Sequence, residues 1–185
     1  MKKIALLLPD GFEEVEVVTP VDFLRRAGIE VILTSIGELN VTGAHNIVIK
    51  ADITLTSLPA DIDGIILPGG MPGAANLAQS TAVIELVRKM NSDSKLVAAI
   101  CAAPALVLQS AGVLVGRKFT CYPGFEHLIN NADFRTERVV QDGNIITSRG
   151  PGSAAEFSIA LIEYLLTKEA AELVKEATLQ SGTAC

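Results

Sequence analysis

The stretch Leu96–Leu106 reads LVAAICAAPAL, and its character changes at the middle. The apolar run Leu96–Ile100 is typical of a buried strand, and a helix-like segment begins directly after Cys101. A residue at such an abrupt strand-to-helix turn is presented as a nucleophile. The N-terminus of a helix offers free N–H groups and a positive dipole end, and both favour a thiolate over a thiol. The stretch therefore predicts a reactive cysteine at position 101.

Short apolar runs of the same kind recur along the chain and alternate with helical patterns. The predicted strands are Lys3–Leu8, Glu30–Ile36, Ile62–Leu67 and Leu96–Ile100, with a hairpin and connector over residues 41–58. The predicted helices are Glu13–Ala27, Thr81–Met90, Pro104–Ala111, Gly152–Leu166 and Lys168–Ala177. A second hairpin is predicted over Phe134–Ile146, turning at Asp142-Gly143. This alternation indicates an α/β fold in which a mostly parallel sheet carries helices on both faces.

The length and composition indicate one folded domain over residues 1–185. A chain of 185 residues can bury a sizeable core, and 49% hydrophobic against 19% charged residues favours folding over disorder. The formal net charge is −6 and basic residues are scattered, so no nucleic-acid surface is expected. No apolar run is long enough for a membrane span, and the first apolar run is too short for a signal peptide. The expected compartment is the cytosol.

The cysteines and histidines limit the chemistry further. Cys101, Cys121 and Cys185 are odd in number and match no zinc spacing, so free thiols are expected. Cys121 is interpreted as a small buried apolar residue. The same interpretation is open for Cys101, but the position of Cys101 at the strand-to-helix turn favours a chemical role. With only His45 and His127 as imidazoles, no metal or other cofactor is expected. Neither histidine is adjacent to Cys101 in the sequence.

Three segments end at the same edge of the predicted sheet. Parallel sheets bind ligands beyond the carboxyl ends of their strands. Asp10–Glu14, Pro68–Gly70 and Ile100–Ala102 all fall there. The glycines of Pro68–Gly73 could turn N–H groups towards a ligand as an oxyanion hole beside Cys101, or could form an ordinary turn. The lysine of a phosphate-binding loop is missing.

Three carboxyl groups, Glu13, Glu14 and Glu16, open the first predicted helix. Acidic side chains suit the N-terminal end of a helix dipole, so each could simply be solvated there. Glu16 differs because it lies among valines in a stretch that should face the sheet. A carboxyl in an apolar place has a raised pKa and can stay protonated. Glu16 could then donate a hydrogen bond to the Cys101 thiolate and move protons during a reaction.

Four segments together resemble one family. They are DGFEEVE (residues 10–16), PGGMPG (68–73), AAICAAP (98–104) and TSRGPG (147–152). This set resembles the ThiJ/PfpI family, in the branch of the parkinsonism-associated protein deglycase, within the class I glutamine amidotransferase-like superfamily. The match runs nearly end to end. The resemblance implies a flavodoxin-like three-layer sandwich and a homodimer.

The resemblance also implies roles for particular residues. Cys101 would be the nucleophile with Glu16 as its protonated carboxyl partner, and Gly70 and Ala102 would lend backbone N–H groups to an oxyanion. His45 stands where relatives carry an arginine that reaches across the dimer. Gly69 and His45 are accordingly the candidate substrate-binding residues.

Members of this family are described as glutathione-independent glyoxalases, protein deglycases, oxidation-sensitive chaperones and, in one branch, proteases. The protease branch has histidine directly after the nucleophile, where this chain has Ala102, so proteolysis is not expected. Tyr122 replaces a histidine of some relatives. Two functions stay open. One is a glyoxalase or deglycase acting on a small aldehyde such as methylglyoxal or on glycated protein, and the other is an oxidative-stress sensor or chaperone that uses oxidation of Cys101.

Overall fold

The computed structural model describes residues 1–180, and its elements alternate as predicted. The strands are β1 (Lys3–Leu8), β2 (Glu30–Ser35), β3 (Asn40–Thr42), β4 (Val48–Lys50), β5 (Ile53–Thr54), β6 (Gly64–Leu67), β7 (Leu96–Ile100), β8 (Lys118–Phe119), β9 (Asp133–Phe134), β10 (Val139–Asp142) and β11 (Ile145–Ser148). The helices are α1 (Glu14–Arg26), α2 (Gly73–Gln79), α3 (Thr81–Ser92), α4 (a π-helical stretch Pro104–Leu108 continued by Gln109–Ala111), α5 (Ala154–Leu165) and α6 (Lys168–Ala177).

One sheet organises the fold, with strand order β10-β11-β7-β6-β1-β2-β5. Every neighbouring pair in it is parallel except β10 with β11, which form an antiparallel hairpin at one edge. Strands β3 and β4 form a separate antiparallel pair, and β8 and β9 a separate parallel pair. The predicted mostly parallel sheet is therefore confirmed.

The sheet is buried on both faces because side chains of a strand alternate between them. In β1, Ile4, Leu6 and Leu8 pack in the core that α1, α5 and α6 cover. Ala5 and Leu7 pack in the opposite core, which α2, α3 and α4 cover. All of these β1 side chains are inaccessible to solvent. The result is the expected three-layer sandwich, and its strands β1, β6 and β7 end side by side at one edge.

The structure corrects one predicted hairpin and contains one helix that was not predicted. The hairpin predicted over Phe134–Ile146 is wrong in extent, because Phe134 belongs to β9 and the hairpin spans Val139–Ser148. Asp142 pairs with Ile145, so the turn is formed by residues 143 and 144. Gly143 adopts the positive φ of 60° that such a two-residue turn requires. Helix α2 was not predicted, because its sequence GAANLAQ carries no apolar stripe.

Other expectations concern the remaining thiols and membrane contact. Cys121 is fully buried, as predicted for a small apolar residue. Cys185 lies outside the described residues. Within residues 1–180, no helix has the length and apolarity needed to cross a membrane.

Candidate active site

The three segments predicted to meet at the carboxyl edge of the sheet are in contact. The Glu13 N–H donates to the carbonyl of Gly69 at 3.1 Å, and the Gly73 N–H donates to that of Gly11 at 3.1 Å. These bonds join the loop after β1 to the loop after β6. Cys101 directly follows β7, the next strand in the sheet. The edge therefore holds a thiol, a glycine-rich loop and the start of α1 together.

Cys101 occupies a strained backbone position. Its φ is 64°, in the left-handed region that residues with a side chain seldom adopt. Its N–H donates to the carbonyl of Ser148 at 2.9 Å, and its carbonyl accepts from the N–H of Tyr122 at 2.8 Å. Both backbone groups are thus engaged by neighbouring segments, which hold the turn in place. This is the sharp turn predicted from the sequence.

Glu16 lies beside this thiol and is fully buried. Its Oε2 accepts a hydrogen bond from the Gly69 N–H at 2.7 Å, whereas no hydrogen bond of suitable geometry reaches the buried Oε1 from any other part of residues 1–180. The Cys101 thiol is close enough to influence the ionisation of the carboxyl directly. The predicted burial of Glu16 is confirmed.

Gly69 is what lets Glu16 and Cys101 approach each other. A Cβ at position 69 would lie 2.6 Å from the Cβ of Cys101, 2.8 Å from Glu16 Oε2 and 3.0 Å from Cys101 Sγ. Because real Cβ atoms do not approach other atoms so closely, one of the two side chains would have to move. Gly69 thus spaces and orients the Glu16–Cys101 pair through its N–H and its lack of a side chain.

Burial raises the pKa of both groups. Burial, with a smaller contribution from the charge of Glu13, raises the pKa of Glu16 to about 7, against the opposing hydrogen bonds of Gly69 and Cys101. Burial, and then the ionised Glu16, raise the pKa of Cys101 to about 12. The N–H groups at the turn lower the pKa of the thiol, as predicted, but burial and a charged Glu16 outweigh them, so the predicted net preference for the thiolate is not met while Glu16 is ionised.

Two backbone N–H groups act in the opposite direction on the sulfur. Hydrogen bonds from Gly70 and Ala102 lower the pKa of Cys101. These are the two residues that the sequence resemblance named as oxyanion donors. The sulfur therefore lies between one buried carboxyl and two N–H donors. A charge on Glu16 works against a charge on the sulfur, so the two groups titrate as a coupled pair.

A pocket of about 240 Å³ opens onto the thiol. Its lining comprises Glu13, Gly70, Met71, Cys101, Ala102, Tyr122, Phe125 and Pro151. Tyr122 and Phe125 meet edge to face, with ring centroids 6.3 Å apart, and form one wall. A larger apolar cleft of about 360 Å³ between Leu55 and Met90 has neither a thiol nor an imidazole among the described residues that line it. Of these two spaces, the smaller one therefore holds the nucleophile.

The other sequence candidates lie elsewhere. His45, a predicted substrate-binding residue, does not line the pocket, and its Nδ1 instead lies 2.9 Å from Glu14 Oε2. His127 is exposed in a short 3-10 turn, as expected for a surface residue. Sequence reasoning did not foresee the contact of Glu14 with His45, because 31 residues separate them and only the fold brings them together.

A strained cysteine at a strand end, with a buried glutamate beside it in an α/β sandwich, is typical of proteins whose active site is built on a reactive cysteine. The model of the DJ-1/PfpI family matches residues 2–164, and the chain belongs to that family.

Proteins and solved structures similar to this chain agree with that assignment. Protein dj-1beta of Drosophila melanogaster is 40% identical over 184 residues, covering 97% of this chain and 98% of the relative. The crystal structure of Drosophila DJ-1beta matches with a TM-score of 0.92 at 38% identity, covering 96% of this chain and 97% of that one. A Toxoplasma gondii DJ-1, described as oxidized, matches with a TM-score of 0.94 at 37% identity, covering 97% and 98%.

Two further likenesses bear on function and on length. A protein named deglycase from Pyrococcus abyssi is 37% identical over 154 residues, covering 81% of this chain and 91% of the relative. Protein DJ-1 homolog B of Arabidopsis thaliana is 42% identical over 173 residues, which is 92% of this chain. The chain spans 40% of the length of that plant protein.

Proposed function

We propose that this protein is a cysteine-dependent, glutathione-independent glyoxalase or deglycase that acts on 2-oxoaldehydes such as methylglyoxal or on their protein adducts. The arrangement that carries the proposal is the Cys101 sulfur between a buried carboxyl, Glu16, and the N–H groups of Gly70 and Ala102. A nucleophile, a proton carrier and oxyanion donors are the groups that this reaction needs. The deglycase name of the archaeal relative supports the same class of activity.

The proton of the Glu16–Cys101 pair is central to the proposal. Because burial raises the pKa of Glu16 to about 7, this carboxyl holds a proton near neutral pH. A neutral Glu16 no longer repels a charge on the sulfur, and its hydroxyl can donate towards it. Glu16 Oε1, for which the described residues supply no hydrogen-bond partner, is the oxygen free to carry that proton. The N–H groups of Gly70 and Ala102 then add to the stability of the thiolate.

The reaction begins with addition of the Cys101 sulfur to the aldehyde carbon of methylglyoxal. A C–S bond forms between the Cys101 thiolate and the aldehyde carbon, and the carbonyl π electrons move onto oxygen. The Gly70 and Ala102 N–H groups stabilise that oxyanion until it takes the proton of the neutral Glu16, which leaves Glu16 as a carboxylate. Glu16, as carboxylate, removes the proton from the former aldehyde carbon and returns one to the neighbouring ketone carbon. The product is a thioester of lactate, which water hydrolyses to lactate and the free thiol. In total, one methylglyoxal and one water become one lactic acid.

The pocket supports a small substrate. Its volume of about 240 Å³ is below the range of roughly 300–1,000 Å³ common for drug-sized ligands. A three-carbon aldehyde fits such a space, and a side-chain adduct that projects from a protein can also enter it. Glycated protein would then present only its modified group to Cys101.

Lactate release from methylglyoxal by the purified protein tests the proposal. We expect turnover by the wild type and by Cys121→Ser, and a loss of at least about a thousandfold in Cys101→Ser. Cys121 is a matched control because it is a buried thiol on which neither Gly70 nor Glu16 acts. Equal turnover by the wild type and Cys101→Ser would remove Cys101 from the mechanism. Comparable activity on free methylglyoxal and on glycated lysine would leave both substrate classes in place.

A second candidate function is oxidative sensing through Cys101. The observation that favours it is the partly accessible sulfur beside Glu16, together with the oxidized Toxoplasma relative. Successive oxidation would give a sulfenic and then a sulfinic acid, with peroxide as oxidant. Intact mass after mild peroxide should show two added oxygens in the wild type and none at this site in Cys101→Ser. Oxidation without aldehyde turnover would favour the sensor, and a resistant Cys101 would exclude it.

We further propose that the protein is a homodimer. The exposed face of α1 carries Val15 and Val18, and the start of β4 with the residue before it carries Val48 and Ile47; each of the four side chains is between 46% and 59% exposed. A group of apolar residues that stays in water is typical of an interaction surface. Light scattering should give twice the mass of the chain, and Val15→Lys with Val18→Lys should give the monomer. A monomeric wild type would contradict this proposal.

A further inference from the structure

A group of metal-ligating side chains lies beside the pocket, and neither the mechanism above nor the sequence analysis uses it as a metal site. Glu13, Glu14 and His45 each offer one ligand atom, and these three atoms all lie within 4.8 Å of one another. His45 Nδ1 is 2.9 Å from Glu14 Oε2 and 3.8 Å from Glu13 Oε1. Two carboxylates and one imidazole thus converge on a single point.

The spacing suits a tetrahedral ion. Ligand atoms about 2.0 Å from a zinc ion lie about 3.3 Å from one another. The two distances from His45 Nδ1, 2.9 and 3.8 Å, fall on either side of that value. The two distances from His45 Nδ1 therefore need to change by only about half an ångström or less to suit the ion, and the two carboxylate oxygens already lie within 4.8 Å of each other.

The loop around His45 holds the central carboxylate of the group in place. Glu14 Oε1 accepts the backbone N–H of His45 at 2.7 Å and that of Ile47 at 3.4 Å. Any side chain at position 43 would collide with the Glu14 carboxyl, so Gly43 admits it. The carboxylate is almost fully buried and cannot turn away into water. Glu14 is therefore oriented before any ligand arrives.

Glu13 completes the group in an unusual state. Its side chain is only 18% exposed, yet its one ion pair within residues 1–180 is with His45 Nδ1 at 3.8 Å, longer than a hydrogen bond. Glu13 is thus a largely shielded carboxylate beside a second one, Glu14, and a bound cation would offset their mutual repulsion. In the single chain, His45 has 69% side-chain exposure, so one side of the group faces water there. The proposed dimer face adjoins the group at Val15 and Ile47, so a cation would enter before the dimer forms and keep a water as its fourth ligand.

We propose that Glu13, Glu14 and His45 bind a divalent transition-metal ion of the zinc type. An imidazole with carboxylates suits such ions better than calcium or magnesium, which prefer all-oxygen sites. His45 Nδ1 donates its lone pair to the ion, so it must release the proton it shares with Glu14, and Nε2 keeps the other. Because Glu13 also lines the Cys101 pocket, a bound ion would neutralise the acidic rim of that pocket.

Calorimetric titration of the full chain with Zn²⁺ tests the site. We expect one equivalent per chain in the wild type, binding at least about tenfold weaker in His45→Gln and in Glu13→Gln, and unchanged binding in His127→Gln. His127 is the matched control because it is the other imidazole and also lies near a single carboxylate, Glu126, at 3.7 Å. Both test substitutions are at exposed or pocket-facing side chains, so the fold should tolerate them, and circular dichroism checks this.

Cobalt(II) substitution distinguishes this site from the thiol. A site of nitrogen and oxygen ligands gives only weak visible bands, whereas thiolate coordination adds an intense near-ultraviolet charge-transfer band. We expect the weak bands, retained in Cys101→Ser and lost in His45→Gln. An intense near-ultraviolet band, loss of binding in Cys101→Ser, or equal Zn²⁺ affinity of wild type and His45→Gln would each overturn the proposal.

Discussion

Two buried carboxyl groups, Glu14 and Glu16, lie two residues apart at the start of α1 and differ in their ionisation. Both are less than a tenth exposed. Burial opposes the charge of Glu14, but hydrogen bonds from the His45 ring and from the N–H groups of His45 and Ile47 outweigh it and lower its pKa. For Glu16, burial prevails over the hydrogen bonds of Gly69 and Cys101 and raises its pKa to about 7.

The opposite pKa shifts of Glu14 and Glu16 show that burial alone does not set the protonation state of a side chain. The number and charge of the donors around each oxygen decide whether burial produces an anion or a neutral acid. One turn of helix thus supplies an anion, Glu14, that faces an imidazole, and an acid, Glu16, that faces a thiol. Changes around Glu16 should therefore affect activity and stability more than changes at Glu14.

Removing the ability of Glu16 to transfer a proton should have the largest effect. In Glu16→Gln we expect turnover of methylglyoxal to fall by roughly a hundred- to ten-thousandfold, because the amide cannot exchange a proton with substrate carbon. The amide can still donate to the sulfur, so alkylation of Cys101 by iodoacetamide at pH 7 should stay within a few-fold of wild type. Alkylation more than tenfold faster in the variant would show that Glu16 is ionised at pH 7 and repels the thiolate.

The stability of the fold should depend on the charge of Glu16 with a definite sign. Its pKa is about 7 in the folded chain against a usual 4.5, so unfolding releases a proton between these values. Relative to Glu16→Gln, the wild type should lose about 3 kcal/mol of unfolding free energy as pH rises from 4.5 to 7, and little beyond. Urea denaturation at several pH values measures this. A difference between the wild type and Glu16→Gln that stays constant with pH would contradict the raised pKa of Glu16.

Crowding the space between Glu16 and Cys101 should disturb both groups at once. In Gly69→Ala the new Cβ would lie 2.8 Å from Glu16 Oε2, so we expect a loss of about 2 kcal/mol in stability and reduced turnover. Gly37→Ala is the control, because no atom of the described part of the chain lies within 4 Å of a Cβ there. Denaturation and lactate assays compare the two. Equal behaviour would mean that Gly69 does not space the pair.

Neutralising Glu14 should have a smaller effect with the opposite pH dependence. Glu14→Gln should cost about 1 kcal/mol at pH 7, because the charge-assisted bonds to His45 and Ile47 weaken. The lowered pKa of Glu14 gives the wild type an advantage that is present above pH 4.5 and lost as pH falls through the folded pKa. Denaturation of both chains at pH 7 and below pH 4 measures this. An advantage that grows on acidification would contradict the lowered pKa.

The sequence predicted the parts of the site that follow from local pattern. Cys101 stands out because an apolar run ends at it, and Glu16 because valines surround it. The meeting of three loops followed from the rule that parallel strands end at a common edge. These features needed only the strand order along the chain and the alternation of elements.

The remaining features depend on contacts that pattern does not encode. The N–H groups at the turn lower the pKa of Cys101 as the dipole argument predicts, but burial and Glu16, which is distant in the chain, decide the net shift. The pairing of Glu14 with His45 depends on how the loop after β3 returns to α1. Helix α2 is built mostly from small residues, and Leu77 is its one large side chain in the core, so its sequence gives too little periodic signal to predict a helix.

The left-handed backbone of Cys101 has a consequence for how this chain could change over time. Glycine adopts that conformation without strain, so Cys101→Gly should melt at a higher temperature than the wild type while losing the thiol. Thermostability and reactivity therefore compete at one residue. A lineage selected for heat resistance alone would be expected to discard the sulfur first, and its persistence in any heat-adapted descendant would be a sign that selection still acts on chemistry.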